Sequence, residues 1–86
     1  MYVIYKIVDG RIKYLLLQDD IFVDSIYNAT KYTNSNMASY YLAYTREHHG
    51  DTGYALLEVP DIIFMGIKDN IIDRLPTAEE LNYVYN

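Results

Sequence analysis

Eighty-six residues, 51% of them hydrophobic, with 7 basic and 12 acidic side chains and a net charge of −5, suffice for one domain with a modest core. That length excludes a second domain, and no apolar run approaches the ~20 residues of a membrane-spanning helix. The absence of cysteine excludes disulfides, thiolate catalysis and Cys-based zinc sites. MYVIYKIVDG enters a strand pattern at once, without the basic, apolar and small-residue regions of an export signal, so a soluble cytoplasmic protein is expected.

Tyr2 to Val8 and Arg11 to Gln18 flank Asp9-Gly10, a dipeptide favoured in two-residue type I′ hairpin turns. Such a turn sets Val8 opposite Arg11, Ile7 opposite Ile12, Lys6 opposite Lys13, Tyr5 opposite Tyr14, Ile4 opposite Leu15 and Val3 opposite Leu16. One hairpin face, Val3, Tyr5, Ile7, Ile12, Tyr14 and Leu16, is wholly apolar or aromatic and is the expected seat for a helix. The other mixes Tyr2, Ile4, Leu15 and Leu17 with Lys6, Arg11 and Lys13.

Ile21 to Val23 is a short apolar piece and Asp24-Ser25 a turn, after which Ala29 to Tyr32 reads as a third short strand. Asn36 to His49 has the periodicity of a helix. At about 100° per residue Met37, Ala38, Tyr41, Leu42, Tyr44, Thr45 and His48 share a side. Asn34 or Ser35 suits the N-cap, Gly50 the left-handed residue beyond the end, and Arg46, His48 and His49 the negative end of the dipole. Tyr54 to Val59 is a fourth strand, ended by Pro60.

The expected fold is α+β: residues 1–59 form a ββ(β)αβ unit, a small antiparallel sheet with one main helix on one face. Residues 60–86 are an acidic extension packed on it within the same single domain. There, Asp61 to Ile67 and Ile71 to Leu75 read as a C-terminal hairpin around Lys68-Asp69-Asn70. A short terminal helix follows, with Thr77 and Glu80 as a capping box and Pro76 stapled on Leu81. This extension is expected to cover Ile4, Leu15 and Leu17; a homodimer burying the same patch is the alternative.

Charge is uneven. Residues 1–43 balance, so the whole net charge of −5 lies in residues 44–86. Acidic partner-binding candidates are Glu58, Asp61, Asp69, Asp73, Glu79 and Glu80, which would imitate a phosphate backbone if they formed a row. Eleven tyrosines without tryptophan suit a recognition surface, and Tyr2, Tyr27, Tyr40, Tyr54, Tyr83 and Tyr85 are its candidates. Lys6, Arg11 and Lys13 beside tyrosine form an alternative nucleic-acid face, which the net charge opposes.

His48 and His49, with Asp51 close behind, are the residues nearest to a metal motif. Neighbouring side chains on a helix diverge by about 100°, so packing and dipole compensation are expected instead of a metal. The Asp19, Asp20 and Asp24 group lacks the spacing of a calcium loop. No phosphate loop, nucleophile with a matching base or spaced carboxylate pair is present, so neither enzyme activity nor a cofactor is expected.

The run YVIYKIVDGRIKYLLLQDD, then Asp24 to Thr33, Ala38 and Tyr41 in the helix, and the close Tyr54 to Val59, resemble small uncharacterised accessory proteins of bacteriophages and their Gram-positive hosts. The shared pattern is a hairpin, an Ala-x-x-aromatic strand, a helix with alanine facing the sheet and a strand ending in Glu-Val. It covers residues 2–59. The resemblance implies a non-enzymatic inhibitor or modulator in the cytoplasm of a bacterial host cell. Its partner would be a host protein with a basic surface, such as a nucleic-acid-processing enzyme or a defence nuclease, as for anti-CRISPR proteins. It transfers no functional residue.

Overall fold

A computed structural model describes residues 1–75. The described residues form a curled six-stranded sheet and one main α-helix, a small α+β fold. β1 (Tyr2–Val8) and β2 (Arg11–Leu16) make the hairpin, with Tyr5, Lys6, Ile7 and Val8 opposite Tyr14, Lys13, Ile12 and Arg11. Asp9 and Gly10 both take positive φ, 53° and 78°, as a type I′ turn requires.

β1 is the centre of the sheet. Tyr2 pairs with Glu58 of β5 (Ala55–Glu58) and with Tyr32 of β4 (Lys31–Tyr32), while Tyr5 pairs with Ala55 and with Tyr14. β2 and β4 therefore share one edge of β1 end to end, and the Thr30 amide bridges them by donating to the Leu15 carbonyl at 3.0 Å. β3 (Ile21–Val23) extends the sheet beyond β2.

The expected second hairpin is absent. Asp61–Phe64 is a 3₁₀ turn entered from Pro60, and β6 (Ile71–Ile72) pairs in parallel with β4, so the sheet is mixed instead of purely antiparallel. Proline followed by aspartate starts a helical turn more readily than a strand. Gly66, at φ 82°, then redirects the chain.

The helix α1 (Ser35–His49) is bounded as its sequence dictates. The Asn34 side chain accepts from the Met37 amide at 2.9 Å, and Gly50 closes the helix at φ 63°. Its seat is the opposite face from the one expected. Met37, Ala38 and Tyr41 pack with Ile4, Leu15, Leu17, Tyr32 and Tyr54, and Tyr2, Phe22, Leu42, Leu56 and Ile72 complete this cluster. Neighbouring strands supply the missing apolar width: Phe22 stands opposite Leu15 and Leu56 opposite Ile4.

The other face is covered near Val3 by Ala29, Val59 and Phe64, with Ile26 and Ile67 beside them. Residues 59–67 thus cover the Val3 face, while Ile72, further along the same extension, packs against the Ile4, Leu15 and Leu17 cluster. Cover stops short of the hairpin turn, leaving Ile7 61% and Ile12 48% exposed. The expected terminal helix, with Thr77 and Glu80, lies outside the described residues, as do Glu79, Tyr83 and Tyr85.

Candidate functional site

Phe64 anchors the 3₁₀ turn in the second core cluster, with Tyr27 edge-on to its ring at 6.3 Å. Because a 3₁₀ turn has about three residues per revolution, its neighbours cannot follow it inward. Ile62 is 69% and Met65 74% exposed, and Ile63 and Tyr27 are exposed beside them. These four side chains form an apolar ridge. Ile7, Ile12, Ile21 and Leu57 are also exposed and point from the same side of the sheet, since they alternate with, or pair to, residues of the Val3 face. Among the described residues, exposed apolar surface thus concentrates opposite the helix.

The acidic candidates are distributed among several elements. Glu58 ends β5 opposite Tyr2, whereas Asp61 begins the 3₁₀ turn and accepts from the Met1 amino group at 2.7 Å. Asp69 is exposed before β6, and its backbone carbonyl accepts from Lys31 Nζ at 3.2 Å. Asp73, exposed just after β6, lines a cavity of about 110 Å³ with Tyr41, Ile71, Ile72 and Arg74.

The aromatic candidates also separate. Tyr40 is exposed and stacks with Tyr44, centroids 6.1 Å apart; Tyr2 is half-buried against the helix-side core. Tyr54 is buried and does not belong to a contact surface. Its ring lies between Phe22, 5.5 Å away, and His49, 5.6 Å away, both nearly parallel to it. Strand alternation aims Tyr54 to the helix side, where the end of α1 closes over it.

On the alternative nucleic-acid face, Lys6 bonds Asp51 and Lys13 bonds Asp24, while Arg11 is exposed. Lys6 also lies over the Tyr54 ring, 5.1 Å from its centroid. The hydrogen bond from Lys6, aided by one from the Gly53 amide, holds the Asp51 carboxyl below its ordinary range and raises Lys6 in return. Two of the three cations are thus internally neutralised.

At the end of α1 the structure assembles residues that spacing alone does not connect. His49 Nε2 is 3.0 Å from Asp20 Oδ1, and the His48 and His49 rings meet edge to face at 5.0 Å. One ring nitrogen from each histidine and one Asp20 carboxylate oxygen lie within 4.8 Å of one another. The divergence expected of neighbouring histidines therefore does not keep them apart. Asp51, the carboxylate adjacent in sequence, turns to Lys6 and Gly53 instead. Asp20 arrives from another element, in the left-handed conformation after the 3₁₀ turn Leu17–Asp19, and no local signal in the sequence joins it to the histidines.

No protein-family model, curated protein or solved structure matches the chain. No helix among the described residues is long and apolar enough to cross a membrane.

Proposed function

We propose that this chain is a non-enzymatic binding protein of the phage accessory class that docks on a basic surface of a host protein and obstructs it. The observation that carries this reading is the one-sided exposure of Ile7, Ile12, Leu57, Ile62 and Met65. Apolar surface concentrated on one side of a small domain marks an interaction site, and the exposed Tyr27, edge-on to Phe64, adds an aromatic anchor. The net charge of −5 selects a cationic partner and steers its approach. A nucleic-acid-processing enzyme fits, because its cleft is basic by necessity. Steric occlusion is favoured over phosphate imitation, because Glu58, Asp61, Asp69 and Asp73 are divided among several elements.

The test is capture from nuclease-treated Gram-positive lysate on the immobilised chain, alongside an Ile62→Glu, Met65→Glu variant of unchanged circular dichroism. One stoichiometric protein, retained by the parent chain and lost by the variant, is expected. Equal retention by both, or retention of nucleic acid alone from untreated lysate, overturns the reading. Sedimentation of the isolated chain tests the remaining occupant of the ridge, a second copy; a dimer that the variant dissolves would replace the host protein as its partner.

A further inference from the structure

We propose that Asp20, His48 and His49 form a binding site for a divalent transition-metal ion of the zinc type, joining the end of α1 to the junction before β3. Two imidazole nitrogens and one carboxylate oxygen are a donor set that zinc accepts without any thiolate. Their mutual separations, all within 4.8 Å, are near those required. Bonds of about 2.0–2.1 Å in a tetrahedron put donors roughly 3.3 Å apart, so no pair need approach by more than about 1.5 Å to close the site. The His49–Asp20 contact is already at 3.0 Å.

Three surrounding features favour a cation there. The histidines end α1, where the helix dipole places partial negative charge. Tyr54 stacks on His49 with 29° between the rings, which limits the orientations of one ligand before any ion arrives. Lys6, which lies over the Tyr54 ring, is engaged by Asp51 and does not oppose the ion with its full charge. Access is open, since His49 and Asp20 keep 29% and 32% of their side-chain surfaces in solvent. Three protein ligands leave the fourth position to water or to a group from a partner.

Isothermal titration of Zn²⁺ into the full chain, in a non-chelating buffer, tests the site. The chain has only two histidines, so no other imidazole pair competes. Expected are one ion per chain, an affinity in the micromolar range and a rise in Tm on adding zinc. His48→Gln, His49→Gln and Asp20→Asn should each weaken binding by at least about tenfold, and Asp24→Asn should not. Asparagine tolerates the left-handed conformation of Asp20, and His48 is exposed, so Asp20→Asn and His48→Gln keep the fold. Absence of binding up to millimolar zinc overturns the proposal, as does binding that any one of the three substitutions leaves unchanged. A histidine ring spectrum in which zinc shifts only one of the two rings overturns it equally.

Discussion

Lys31 holds its ammonium 5.3 Å from the centre of the Phe64 ring, beneath the 3₁₀ turn that carries the apolar ridge. The side chain is buried, and Nζ donates to the carbonyls of Ala29 at 2.8 Å and Asp69 at 3.2 Å. A charged residue thus fastens the loop before β6 to the strand beside it. Desolvation lowers the Lys31 pKa below the ordinary lysine range, against a smaller opposing pull from Asp69.

The unfolded chain consequently binds a proton at Lys31 more tightly than the folded chain does. Lys31 should make stability rise with pH between its lowered value and about 10.4. Lys31→Met, similar in volume, should remove that rise, and because it takes away the donor to the Ala29 and Asp69 carbonyls it should cost about 1–3 kcal/mol at neutral pH. Tyr54, raised by burial, pulls the other way at alkaline pH but is common to both proteins. Urea denaturation of the pair from pH 7 to 10 checks the difference.

Which hairpin face carries the helix is testable by truncation. Ile4→Ala removes a fully buried side chain under Ala38 and Tyr41 and should cost about 2–5 kcal/mol. Ile7→Ala, on the open end of the other face, should stay within about 0.5 kcal/mol. Urea midpoints at constant slope measure both; comparable losses would place the helix wrongly.

The Lys6–Asp51 pair gives stability a signature at both ends of the pH scale. The depressed Asp51 carboxyl contributes stability fully above about pH 3.9, lost as pH falls through its folded value. The raised Lys6 contributes below about pH 10.4, and its share is lost as pH rises through the folded value. Asp51→Asn should flatten both limbs, with a small loss at neutral pH. Thermal melts across pH 2–11 decide it.

Association with the proposed host partner should be acid-led. Glu58→Lys together with Asp61→Lys should slow association at low salt, and the deficit should shrink toward 1 M salt, where the Debye length falls to about 3 Å. Stopped-flow or surface-plasmon rates at several salt concentrations check this. A deficit independent of salt would assign the two residues to contact instead of steering.

The Asn34 cap is worth a direct measurement. Its side chain satisfies the Met37 amide at 2.9 Å, so Asn34→Ala should cost about 1 kcal/mol. Asn34→Asp should cost less, since aspartate caps equally well and adds charge at the positive end of the dipole. Chemical denaturation distinguishes the two variants.

The hairpin and helix were legible because their determinants are local: Asp9-Gly10 fixes one register, and Asn34 and Gly50 bound the other element. The hairpin faces were not, because each carries enough apolar residues to accept a helix. The choice depends on Phe22, Leu56, Tyr32 and Ile72, which reach the Ile4 face only through strand pairing that is non-local for all but Phe22. Asp61 to Ile67 has no period that separates a strand from a 3₁₀ turn, and Pro60 was the signal that decided it. Of the candidate site, the histidines stood out in the sequence, whereas Asp20, 29 residues from His49, became visible only when the end of α1 met the turn before β3.

The central strand also imposes a timetable on synthesis. β1 is made before every strand it pairs with, yet among the described residues one of its edges has no partner until Ala55–Glu58 is made some fifty residues later. At about 5–20 residues per second that edge stays open for roughly 3–10 seconds in each nascent chain. On crowded polysomes neighbouring chains would present the same open edge to one another, so slower translation should lower the yield of native protein before any change in its final stability.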